Sequence, residues 1–151
     1  VHTQNTYRHQ LERDADGTLT YLLLGDLREL LTERSAGPGT RTVLLVILDA
    51  LLEEIPRLTS LDAVGDEYLD QVLVECPHWT PQVDALRSAK IADYVQLAEL
   101  RNAVAAQRSF AGQAEVLLTD LVRWLSAFRT HRRRERRLVQ MAANGDVGGE
   151  A

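Results

Sequence analysis

Only one of the four histidines stands where a helix could put it to use. His2 and His9 lie in a polar opening stretch and His78 in a Cys76-Pro77-His78-Trp79 segment, but His131 falls on an apolar stripe. That stripe runs Leu117, Leu121, Leu125, Phe128 and resumes at Leu138 and Ala142, in steps of three and four that trace one face of a helix. Continued from Phe128, it lands on His131 and then Glu135. An imidazole and a carboxylate one turn apart can ligate a divalent metal if other elements bring further donors. Without them, the expected state is a neutral His131 hydrogen-bonded to Glu135 or to a backbone carbonyl within a mostly apolar core.

Other reactive groups have less company. Cys76 beside His78 has the residue types of a nucleophile and its base, but neighbours on a turn seldom align for proton transfer and no third group orients them. A buried structural thiol is the expectation. One cysteine also excludes an intrachain disulfide and a thiolate metal cluster within one chain. Gly37-Pro38-Gly39 reads as a connector, and the glycines from Gly145 to Gly149 follow a helix, so neither is a phosphate loop. With no nucleophile, base and orienter to combine, the chain is not expected to be an enzyme.

Charge is uneven. The net charge is −5, yet Arg129 to Arg137 holds six arginines and one glutamate, a local +5, so the remainder sums to −10. Cations near the end of a helix suit its dipole. The run also makes Arg129, Arg132, Arg133, Arg136 and Arg137 a candidate surface for an acidic partner. Nucleic acid is disfavoured, because no aromatic or glycine-rich platform accompanies the arginines.

The elements that must position these residues are helices. Leu, Ala, Arg and Glu dominate the 151 residues, and all are good helix formers. Residues 1–17 read as a polar arm with a turn at Asp14-Ala15-Asp16-Gly17, able to form helix from Tyr7 to Arg13 when docked. A first helix is predicted over Leu19–Arg34, with Leu23, Leu24, Leu27, Leu30 and Leu31 inward. A second opens at Thr40 with Val43, Leu44, Ile47, Leu48, Leu51, Leu52 and Ile55, and Pro56 should kink or end it. Ser60 or Asp62 can cap a shorter continuation that Gly65 interrupts. Thr80-Pro81 starts a third helix to about Gln107, through Val83, Leu86, Ile91, Tyr94, Leu97, Leu100 and Val104. Gly112 to Ala142 makes the fourth. Four amphipathic helices on short loops predict an all-α, antiparallel up-down four-helix bundle. It would occupy residues 18–143, between the arm and a tail over 144–151.

The order of these helices, the segment Gly65…Tyr68-Leu69-x-x-Val72-Leu73…Pro77-His78…Pro81-x-Val83-x-x-Leu86, the pair His131-x-x-x-Glu135 and the closing Asp146-Val147-Gly148-Gly149-Glu150 resemble bacterial hemerythrin-like domains. The resemblance covers most of Leu19 to Glu150. It implies a bundle that in intact relatives holds two irons through histidines and bridging carboxylates from all four helices. This chain departs from that pattern. Leu19–Arg34 has no histidine, Ile55–Val64 has Asp62 as its only carboxylate, and Pro81–Leu97 has neither His nor Glu. Five bundle histidines cannot be assembled, so a diiron centre and any cofactor are not expected. His131 and Glu135 match the family's fourth-helix pattern and are remnant candidates for ligands. Lys90 stands near an expected third-helix ligand position, which predicts that its ammonium pairs with Glu135 where the metal would be.

The expected role is a metal-free structural or protein-interaction module, as a homodimer or with another protein. Its alternative is residual iron binding or sensing through His131 and Glu135. No run reaches the roughly 18 apolar residues that span a bilayer, and no leader opens the chain, so no membrane contact and a cytoplasmic location are expected.

Overall fold

A computed structural model describes the chain at residues 2–34, 36–61, 70, 72–106 and 110–148, with side chains at 18–34, 36–56, 70, 72–106, 110–141 and 144. Within these the protein is all-helical, with no strand. The long helices are α1 (His2–Glu33), α2 (Pro38–Leu61), α3 (Thr80–Ala106) and α4 (Phe110–Gly148), with a 3-10 turn at Pro77–Trp79 before α3. None of the described helices is long and apolar enough to cross a membrane.

Helix boundaries are where the structure departs most from expectation. Helix α1 begins at His2, so the Asp14–Gly17 stretch continues a helix where a turn was expected. Each weak helix former costs at most about 1 kcal/mol, too little to stop propagation between helical flanks. Helix α1 ends at Glu33, and Arg34 after it takes a left-handed φ of 49°. Pro38 is the first residue of α2, a position where its missing amide costs nothing. Pro56 neither ends nor confines α2, which carries through it to Leu61 with the loss of one amide donor. Helix α4 likewise extends beyond Ala142 to Gly148, so the first part of the expected tail is helical. The Thr80 hydroxyl donates back to Pro77 O at 2.7 Å, tying the 3-10 turn to α3. The caps at Ser60 and Asp62 and the break at Gly65 lie outside the described residues or side chains.

Packing joins α1 to α2, α2 to α3, α3 to α4 and α4 to α1. Arg41, in the first turn of α2, donates to the carbonyls of Val104 (3.2 Å) and Ala105 (2.6 Å). These are last-turn acceptors of α3 with no partner inside their own helix. Arg101 meets Asp49 through both carboxylate oxygens, at 2.7 and 3.4 Å, and this contact, by hydrogen bonding first and charge second, raises the guanidinium above its ordinary pKa. The start of α2 therefore lies against the end of α3, and the two run antiparallel.

Among the described residues, buried apolar side chains form two clusters. The larger gathers Leu24, Leu27 and Leu31 from α1, Leu44 to Ile55 from α2, Leu97 and Val104 from α3, and Phe110 to Phe128 from α4. The smaller holds Val83, Leu86 and Leu138, with Leu73 and Trp79 partly buried against it. Ile91 and Tyr94, expected inside, are 68% and 38% exposed. The inward stripe of α3 is Val83, Leu86, Lys90, Asp93, Leu97, Leu100, Val104, a strict alternation of three and four. Apolarity alone leads to Ile91 and so steps off that stripe by one residue.

Candidate functional site

The stripe on α3 and its counterpart on α4 (Ala114, Leu117, Leu121, Trp124, Phe128, His131, Glu135, Leu138) share one repeat, and each carries two ionisable residues in succession. Antiparallel packing sets Lys90 against Glu135 and Asp93 against His131. Lys90 Nζ lies 2.7 Å from Glu135 Oε1, both side chains 16% exposed. His131 Nδ1 lies 2.6 Å from Asp93 Oδ2, and Asp93 is buried. A carboxylate can only accept, so the bond assigns a proton to Nδ1 of His131. The His131 partner is thus Asp93, and not the Glu135 or backbone carbonyl expected from sequence.

Asp93 is held from its main chain as well. The Trp124 indole N–H donates to Asp93 O at 2.8 Å in a buried bond, and the Trp124 ring stacks on Phe128 with centroids 5.1 Å apart. The aromatic pair closes the polar layer on the side of the main apolar cluster. Leu86 and Leu138, of the smaller cluster, occupy the next stripe positions on the other side. The four charged groups therefore form a layer that divides one apolar core from another.

A pocket of about 20 Å³ opens within this layer, lined by Lys90, Asp93, His131, Arg132 and Glu135 with Ile55, Leu86 and Phe128. Its volume is on the order of a single water molecule. Two carboxylates and two cations share it, so the layer is close to neutral when His131 is neutral. Among the described residues no three His, Cys, Asp or Glu side chains converge as a metal site. The remnant candidates His131 and Glu135 line the same pocket, yet each is bonded to a different residue of α3. A divalent ion there would meet the ammonium of Lys90 and the guanidinium of Arg132.

The arginine run divides between two places. Arg132 turns to the ionic pocket. Arg129 and Arg133, one turn apart, line a groove of about 510 Å³ between α4 and α1, where Arg28 and Arg34 join them. Arg136 and Arg137 are exposed and line neither. Arg28 and Arg34 were not legible as part of a site, because only the packing of α1 on α4 brings them to the run. Asp93 had a signal, since its place in the three-four alternation identifies a core position occupied by a carboxylate.

Cys76 is half-buried, and its neighbour His78 makes an edge-to-face contact with Trp79 at 5.6 Å between centroids. Among the described residues no hydrogen bond joins His78 to the thiol. No family model, no curated protein and no solved structure matches the chain.

Proposed function

We propose that this chain is an antiparallel four-helix bundle of the hemerythrin-like type in which side-chain ion pairs stand in place of a metal centre, and that it serves as a structural or protein-interaction module. One observation carries the reading: the 2.7 Å contact between Lys90 and Glu135 inside the α3–α4 seam. A buried carboxylate without a counter-charge costs several kcal/mol, so Glu135 needs a cation. Lys90 supplies it from a helix position where a metal-binding relative is expected to carry a ligand. Asp93 is satisfied by a hydrogen bond from His131. The layer is satisfied by its own members, and a dication would have to expel one of them. In this reading the protein has no catalytic role and its partners are a second copy or another protein.

The competing reading, residual iron binding through His131 and Glu135, draws on the Asp93–His131 bond. A carboxylate on one ring nitrogen is how ligating histidines are oriented, and it leaves Nε2 as a donor. Metal analysis of the purified protein, followed by anaerobic titration with ferrous iron and with zinc, separates the two. The ion-pair reading expects no stoichiometric metal and no saturable heat. One equivalent bound, and lost in His131→Ala, would establish the competing one.

A further inference from the structure

The groove between α1 and α4 makes a site of a different kind, independent of the ionic layer. Arg129 and Arg133 face it from α4, Arg28 from α1 and Arg34 from the residue just past the end of α1. The hydroxyl-bearing residues Thr32 and Ser126 stand among them, and Leu31 and Leu125, both buried, form its floor. Its volume of about 510 Å³ falls within the roughly 300–1,000 Å³ of small-molecule sites. Two arginines of the α2–α3 half have carboxylate partners: Arg87 meets Asp70 at 2.6 Å and Arg101 meets Asp49 at 2.7 Å. None of the four groove arginines is in an ion pair among the described residues. Converging guanidiniums repel one another, and in an acidic chain that arrangement calls for an anion.

We propose that this groove binds a small organic phosphate, gripped by Arg28, Arg34, Arg129 and Arg133. Phosphate suits several guanidiniums at once, since it offers three oxygens and up to two charges to planar forks, whereas one carboxylate is saturated by a single bidentate arginine. The neighbouring depression gives the ligand its direction. It shares Arg28, Thr32 and Arg129 with the groove and adds Tyr21, Leu22 and Gly25, together with Asp26, Glu29 and Glu33. The carboxylates place the phosphate at the Arg34–Arg133 end and an uncharged body toward Tyr21, which is 75% exposed. Gly25 leaves that end open, because a Cβ added there would meet nothing within 4 Å. The same carboxylates oppose a polynucleotide, whose backbone would have to pass them along α1.

The test is calorimetric titration of the full chain with inorganic phosphate, pyrophosphate and phenyl phosphate. Saturable binding is expected for all three, phenyl phosphate tighter than inorganic phosphate because its ring reaches Tyr21 and Leu22. Arg129→Gln with Arg133→Gln should weaken pyrophosphate about 100-fold, roughly tenfold for each guanidinium removed from the anion. Arg136→Gln with Arg137→Gln, outside the groove, should change it less than about twofold. Arg34→Gln, at a helix end, should weaken it about tenfold and replaces the first pair if that pair fails to fold, as judged by circular dichroism. The proposal is overturned by no saturable pyrophosphate binding at about 1 mM, by equal losses in the two double variants, or by a single-stranded oligonucleotide that binds more tightly than pyrophosphate through the same arginines.

Discussion

On α3, Leu97 and Val104 are fully buried in the main apolar cluster, while Lys90 and Asp93, earlier on the same stripe, hold carboxylate and imidazole partners across the seam. The opposite stripe on α4 shows the same change of character, from Leu117, Leu121 and Trp124 to His131 and Glu135. Geometry is constant along the seam and only the chemistry differs. The apolar half gains from burial whatever the detailed partner, at about 25 cal/mol per Å² of apolar surface removed from water. The ionic half gains only when each group meets its specific partner, and it loses heavily when one is missing. An ionic layer therefore fixes which residues must meet, and with them the register of α3 against α4.

That contrast can be broken from either side. The largest effect is expected at the boundary, where Trp124→Ala removes a fully buried ring, its stack on Phe128 and its bond to Asp93 O. Urea unfolding should report a loss of about 4 kcal/mol. Asp93→Ala should cost about 3 kcal/mol by stranding the His131 ring in a partly buried site, again read from urea unfolding. Lys90→Met should cost about 2 kcal/mol, less because Glu135 keeps some contact with solvent. Lys90→His sharpens the comparison differently. It removes the ammonium and leaves Asp93, His131 and Glu135 with a new imidazole, so zinc titration should raise the melting temperature of this variant and leave that of the parent unchanged. The smallest effect belongs to Arg101→Gln, whose partner Asp49 is half exposed. Its stability change should be small and vanish in molar salt.

Much of the apolar half was legible in the sequence, and the ionic half was legible in part. Leu24, Leu27, Leu31, Leu44, Leu48, Leu51, Leu121 and Phe128 are buried where helical spacing puts them. On α3, hydropathy alone favours Ile91 and Tyr94 over Lys90 and Asp93, and only the strict repeat points to the charged pair. Apolarity and periodicity agree along an ordinary core helix, and they part where the core is polar. Arg28 and Arg34 had no local signal, because a helix-surface arginine and one just past a helix end look like any other until α4 is packed beside them. Helix ends were the least legible, since the cost of a glycine or aspartate is small against a helix already propagating through it, and α2 absorbs even the larger cost of Pro56.

The pairing of Lys90 with Glu135 is the central claim, and a double-mutant cycle measures it directly. Lys90→Met, Glu135→Leu and the two together are compared with the parent by urea unfolding. Each single change is expected to destabilise by about 2 kcal/mol and the combination by no more than about 1 kcal/mol, a coupling of about 3 kcal/mol. Effects that simply add, within about 0.3 kcal/mol, would contradict the claim that the ammonium is the counter-charge of this carboxylate.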